Sequence, residues 1–181
     1  MNDTILHLPQ GITVALCPIE PAENRRLAER AAVARLCRLL LGPDVVIRHK
    51  PDGSPFVEGC SGHISVSHSR RTALLALSPH YIIGADIEEL SRAAHVRRVG
   101  GRVMSAAELE TYDDSDNDLL RAWTLKEALY KVAGEPGIDW RSGLVLPPGK
   151  DSGAARAGKR RCRIVHSAPL GDEWLSVVIA G

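Results

Sequence analysis

Apolar positions along this chain recur with two periods, and the switches between them divide it into elements. Residues 4–8 and 12–18 carry short apolar runs on either side of Pro9-Gln10-Gly11, the pattern of two strands around a turn. A helix opens at Pro21 and Glu23 and runs to Leu41, where Gly42-Pro43 stops it. Val45 to Arg48 reads as a short strand, and Pro51 to Pro55 as a turn by composition. His63, Ser65, Ser67 and Ser69 alternate with Ile64, Val66 and His68, while Thr72 to Leu77 is apolar throughout. Ser78-Pro79-His80 predicts a hairpin turn that makes Tyr81 to Ile87 the partner strand of 72–77. Ser91 to Arg102 is expected as a basic loop and helix, and Ser105-Ala106-Ala107-Glu108 has the capping-box pattern of a short helix.

The longest helical pattern follows an acidic, exposed connection that includes Asp113 and Asp114, and ends at Gly134 and Pro136. Asp116, Asn117 and Asp118 sit at its start, where short polar side chains cap and acidic charge meets the helix dipole. At about 100° per residue, Leu120, Trp123 and Tyr130 share one face with Glu127 in its middle, and Leu125, Ala128, Leu129 and Val132 make a second apolar face. A helix apolar on two sides is expected inside the protein, and it carries the Glu127 carboxylate with it. A buried, unpaired carboxylate costs several kcal/mol or becomes neutral. It therefore wants a cation, and the candidates are Lys131, one turn on, or a metal ion. Beyond this helix, Leu144-Val145-Leu146 is apolar, residues 149–160 read as a mobile loop, and Cys162 to His166 and Trp174 to Ile179 read as strands. The two halves share one order of short strands, a long helix and short strands.

Ile82, Ile83 and Ile87 give the run Gly84-Ala85-Asp86-Ile87-Glu88 strand character. Residues two apart in a strand point the same way, so Asp86 and Glu88 form a carboxylate pair on one face, which repels itself unless a cation lies between. Asp86, Glu88 and Glu127 together make an all-oxygen set suited to Mg²⁺.

Composition narrows the class. A chain of 181 residues allows one sizeable core or two small lobes. A net charge of +1 argues against a general nucleic-acid binder. No apolar run approaches the roughly 18 residues of a membrane span, and residues 1–9 lack the basic-then-apolar pattern of a signal peptide. Cys17, Cys37, Cys60 and Cys162 are scattered, and are expected as reduced thiols of a monomeric cytoplasmic protein. Ser67 and His68 raise the idea of a Ser-His-Asp hydrolase, but no Gly-x-Ser-x-Gly elbow appears.

Gly84-Ala85-Asp86-Ile87-Glu88 and Trp123-Thr124-Leu125-Lys126-Glu127-Ala128-Leu129-Tyr130-Lys131 resemble the two signature motifs of 4′-phosphopantetheinyl transferases. Trp123 with Lys126-Glu127-Ala128 looks like the surfactin-type branch, and Ile64-Ser65-Val66-Ser67-His68-Ser69 is a third match in the order the family requires. The resemblance covers residues 25–137 or so. It implies an α+β fold of two similar lobes related by a pseudo-twofold axis, residues 1–80 and 81–181, with the site in the cleft between them. The implied reaction moves phosphopantetheine from coenzyme A to a serine of an apo acyl or peptidyl carrier protein, releasing 3′,5′-ADP.

In that reading Asp86, Glu88 and Glu127 hold Mg²⁺, and Glu127 also acts as general base toward the serine. Lys131 and Lys126 bring positive charge to the phosphates, and Trp123 is core. His68 binds the 3′-phosphate of coenzyme A, and an arginine of the first helix joins it, for which Arg35 is the choice among Arg25, Arg26, Arg30, Arg35 and Arg38. Ser54 stands where the family places a lysine, which leaves Lys50 to substitute. Arg92, Arg97, Arg98 and Arg102 would form the docking surface for an acidic carrier. A carrier-binding homologue without activity, and a metal-dependent phosphohydrolase, are the competing readings.

Overall fold

The computed structural model of the chain describes residues 3–51, 53–59, 62–150 and 153–181, so Cys60 lies outside it. The first strands form as expected: β1 (Thr4–Leu8) and β2 (Ile12–Pro18) pair antiparallel around a single 3₁₀ turn. That turn puts Gln10 and Gly11 at φ 61° and 72°, which Gly adopts freely. Helix α1 (Arg25–Leu41) is capped by the Asn24 side chain on the Leu27 amide and ends at Gly42. A small hairpin, β3 (Ile47–His49) with β4 (Pro55–Val57), leads into β5 (His63–His68) and β6 (Thr72–Ser78). These strands make a four-stranded antiparallel sheet in the order β1-β2-β6-β5.

The second half begins with β7 (Ile82–Glu89), then α2 (Ala93–Val103), α3 (Ala106–Tyr112) and α4 (Asp116–Ala133). It closes with β8 (Leu144–Val145), β9 (Ala154–Ala157), β10 (Arg160–Leu170) and β11 (Glu173–Ala180). Its sheet has the order β7-β11-β10-β9-β8. The two sheets stack face to face. Ile12, Val14, Leu16, Leu74 and Ala76 from one meet Ile83, Ala85, Ile87, Leu175, Val177 and Ile179 from the other. On the outer faces α1 packs Leu36 and Cys37 against Ala15, Cys17, Ala73 and Leu75, while α4 packs Leu125, Ala128, Leu129 and Val132 against Val178 and Ala180. The result is a mixed α+β protein of four layers, helix, sheet, sheet, helix.

Two expectations are corrected. β6 and β7 are not a hairpin: β7 pairs with β11 from Ile82↔Ala180 to Glu89↔Glu173, and β6 pairs with β2 and β5. Both strands are buried on both faces, which is the pattern of strands in covered sheets, and the short link between them crosses from one sheet to the other. There the Tyr81 amide donates to Ser78 Oγ at 3.0 Å. Residues 149–160 are not one open loop, because β9 lies within them and pairs with both β10 and β8.

Helix α4 starts one residue earlier than its acidic stretch suggests. Ser115 is the cap, accepting from the Asp118 amide at 3.1 Å, and Asp116 and Asp118 fall in the first turn, where they favour the helix dipole. Gly134 ends it at φ 61°. Cys17, Cys37 and Cys162 are buried free thiols. Among the described residues no helix is long and apolar enough to cross a membrane.

Candidate active site

Where β5 and the β3–β4 hairpin face β7 and α4, the layers part into a cleft of about 620 Å³. The strand period delivers Asp86 and Glu88 of β7 to its wall, and the helix period delivers Trp123, Glu127, Tyr130 and Lys131 of α4. Gly84 sets how closely these two walls approach: a Cβ there would stand 2.0 Å from the Ala128 carbonyl oxygen, so α4 rests directly on the β7 backbone.

Asp86 is buried, and its Oδ1 accepts from Ser67 Oγ at 2.6 Å and from Lys131 Nζ at 2.9 Å. Lys131 also donates to the Ala85 carbonyl at 2.7 Å, while Ser65 Oγ accepts the Ala85 amide at 2.9 Å. Side chains thus complete the β7 backbone where no strand lies beside it. Glu88 Oε1 accepts its neighbour's amide at 3.0 Å, and Oε2 lies 3.6 Å from Arg92 Nε. Burial pushes the Glu88 carboxyl up, against the pull of the Glu89 amide and Arg92. Glu127 rises furthest. Burial first, then the charges of Asp86 and Glu88, lift its carboxyl from 4.5 to about 7, although Lys131 pulls the other way.

The three carboxylates line one cleft but do not close around a common point. Among the described residues no three His, Cys, Asp or Glu side chains are placed to hold a metal ion. Asp86 is turned to Ser67 and Lys131, and Glu88 to Arg92. The raised Glu127 reflects burial first, with the charges of Asp86 and Glu88 adding to it against the pull of Lys131. The donors are oxygen only, which fits a hard divalent cation.

His68 stands at the cleft mouth with Nε2 3.6 Å from Glu29 Oε2, and Glu29 Oε1 takes Arg25 Nε at 2.6 Å. Arg25 Nη2 donates to the Ser69 carbonyl at 3.1 Å, tying the start of α1 to the end of β5. Arg35 is elsewhere, paired with Asp3 at 3.0 Å and outside the cleft. Lys50 is exposed at the β3–β4 turn, beside His49 and Ser54 of the lining.

Lys126 is corrected outright. It is fully buried on the far side of α4, where Nζ pairs with Glu108 at 2.9 Å and donates to the carbonyls of Trp140 (2.9 Å) and Leu144. Its charge is spent inside the fold and cannot meet a phosphate in the cleft. Burial pushes its pKa down and Glu108 resists. The bonds to Trp140 and Leu144 hold the segment after α4, which lays Trp140 over Tyr130 (ring centroids 5.1 Å apart) and near Trp123 (6.5 Å). Trp123 is thus part core and part cleft wall. The sequence names Arg25 only as one of five first-helix arginines, and it does not point to Ser67 as the partner of Asp86. Ser67 had a signal, a polar residue recurring every second position in a buried strand. Arg25 had one in its position four residues before Glu29, although nothing local says that His68 completes the group.

A sequence model of the 4′-phosphopantetheinyl transferase superfamily matches residues 82–177, from the first residue of β7 into β11. That span is more than half the chain and includes Asp86, Glu88, Glu127 and Lys131, while His68, Arg25 and the first sheet precede it. No curated protein matches the chain. The match over the segment that builds the carboxylate wall places this chain in the 4′-phosphopantetheinyl transferase superfamily.

Proposed function

We propose that the protein transfers 4′-phosphopantetheine from coenzyme A to a serine of an apo acyl or peptidyl carrier protein, as a member of the surfactin-type branch. The cleft lies between two lobes, each a sheet with one long helix outside it. The observation that carries the reading is the raised Glu127 carboxyl in a cleft shared with Asp86, Glu88 and Lys131. Phosphoryl transfer asks for positioned charge more than for covalent protein chemistry.

Asp86, Glu88 and Glu127 are the residues that would hold Mg²⁺, which neutralises the pyrophosphate oxygens when bound. Burial lifts the Glu127 carboxyl to about 7, toward the range that suits a general base at neutral pH. Glu127 would take the serine hydroxyl proton as that oxygen forms its bond to the phosphorus next to pantetheine. The bond from that phosphorus to the leaving oxygen breaks, and 3′,5′-ADP departs. Lys131 fixes Asp86 and keeps a positive charge in the cleft. His68 and Arg25 form the subsite for the 3′-phosphate, with Arg25 replacing Arg35 in that role.

Carrier docking falls to the basic face of α2. Arg97 is already held by Asp113 (3.2 Å) and Asp116 (2.9 Å), so Arg98 and Arg102 are the exposed charges offered outward. Arg92, beside Glu88, joins this face to the cleft.

The test is to incubate the protein with coenzyme A, Mg²⁺ and an apo carrier, then weigh the carrier. Transfer adds one phosphopantetheine. An unchanged mass with carrier bound would make it an inactive homologue, and coenzyme A consumed without carrier would make it a phosphohydrolase.

A further inference from the structure

We propose that Glu29 is a specificity residue: an internal carboxylate that competes with the donor's 3′-phosphate for Arg25 and His68, and so narrows the difference between coenzyme A and its 3′-dephospho form. The inference rests on coenzyme A being the donor.

His68 of the cleft wall, and Arg25 beside it, joined to it through Glu29 and held to the Ser69 carbonyl, both face a carboxylate already. Glu29 Oε1 is 2.6 Å from Arg25 Nε, and Oε2 is 3.6 Å from His68 Nε2. The Glu29 side chain is 14% exposed, against 50% for Arg25 and 44% for His68. The carboxylate therefore sits behind and between two open donors, and a phosphate reaches them from the solvent side. It meets a guanidinium whose charge is compensated, and a second anion behind it. Arg25 cannot swing clear without losing the Ser69 carbonyl as well.

Of the other cations on this side, Arg48 is paired with Glu58 at 3.0 Å and Arg35 with Asp3; Lys50, exposed at the β3–β4 turn that carries Ser54, is the cation left to add charge to a bound phosphate. Like charges a few ångströms apart at a half-exposed site oppose one another by a modest amount, set by a high effective dielectric. The effect on binding is then a factor of several, confined to ligands that bear the extra phosphate.

An opposite role is open to the same geometry. Glu29 could hold Arg25 and His68 in place for the phosphate, and its loss would then weaken binding. The sign of the effect separates the two. Burial of the carboxylate behind the donors, with their outer faces open, favours competition.

The experiment compares wild type with Glu29→Gln. The variant is close to isosteric and is checked by its melting temperature. Calorimetry without metal or carrier measures binding of 3′,5′-ADP and of 5′-AMP, and KM is then measured for coenzyme A and 3′-dephospho-coenzyme A. Glu29→Gln is expected to tighten 3′,5′-ADP and coenzyme A about three- to tenfold, leaving 5′-AMP and the dephospho donor unchanged. Weaker or unchanged 3′,5′-ADP binding overturns the proposal, as does an equal gain for both nucleotides.

His68→Ala separates this from failure of the donor reading. If it weakens coenzyme A selectively while Glu29→Gln changes nothing, the subsite stands and Glu29 has no such role. If wild type binds 3′,5′-ADP no better than 5′-AMP and His68→Ala is silent, the assignment of the subsite falls with the proposal.

Discussion

Replacing Glu127 by Gln should make the metal-free protein more stable, although Glu127 is the residue on which the proposed chemistry turns. Its carboxyl titrates at about 7 in the fold against an ordinary 4.5. A group raised in this way stabilises the fold fully below its unfolded value and loses that contribution as pH rises through its folded value. The window is therefore about 4.5 to 7. Above it the ionised carboxylate is a net cost to the folded state, about 3 kcal/mol at roughly 1.4 kcal/mol per pKa unit. Partial solvent access at Glu127 cuts this to roughly half.

For a chain of this size each kcal/mol moves the melting temperature by about 2–4 °C. Glu127→Gln should thus melt about 3–6 °C above wild type at pH 8 in chelator, and close to wild type at pH 5. Adding Mg²⁺ at pH 8 should raise wild type more than the variant, because the cation supplies the counter-charge the carboxylates lack. Thermal unfolding of both proteins at the two pH values measures all of this. A variant no more stable than wild type at pH 8, or equally stabilised at both pH values, would refute the account of a carboxylate raised by burial and by the charges of Asp86 and Glu88.

Asp86→Ala should abolish Mg²⁺-dependent transfer while the circular dichroism of the fold persists; full activity at low Mg²⁺ would remove Asp86 from the metal set. Replacing Arg98 and Arg102 by Glu should raise KM for the carrier, leave that for coenzyme A nearly unchanged, and flatten the salt dependence. If both KM values change together, docking lies on another face. Lys126→Met should cost about 3–5 kcal/mol in denaturant unfolding, because it leaves Glu108 buried without its partner, and a loss under 1 kcal/mol would show that the pair contributes little.

The carboxylates were legible in the sequence because each rests on a short-range period. Asp86 and Glu88 are two apart in a strand, and Glu127 shares a helix face with Trp123 and Tyr130. Lys126 shows where such reasoning needs more than a motif. Its helical neighbours Ala122 and Leu129 are fully buried, so the period places it on the inner face, while the resemblance drew it toward the phosphates. Its partner Glu108 lies on another helix, recognisable in sequence only as half of a capping box. β6 and β7 show a second limit. An apolar run, a turn and a second apolar run describe a hairpin and a crossing between stacked sheets equally well, and the deciding partner, β11, is at the far end of the chain. The subsite at Arg25 joins the first turn of α1 to the end of β5, a juxtaposition that no local pattern encodes.

Gly84 shows how this architecture constrains change. The acid on α4 and the pair on β7 belong to separate elements, and nothing covalent sets the gap between them. That gap is set by a missing methyl group, since a side chain at this position would strike the Ala128 carbonyl of the helix backbone. Where a side chain meets a side chain, a change in one can be met by the other leaning or shortening. Backbone against backbone has no such slack. A change at Gly84 would move the whole helix, and with it the spacing of every group it presents, so position 84 acts as the gauge block of the site.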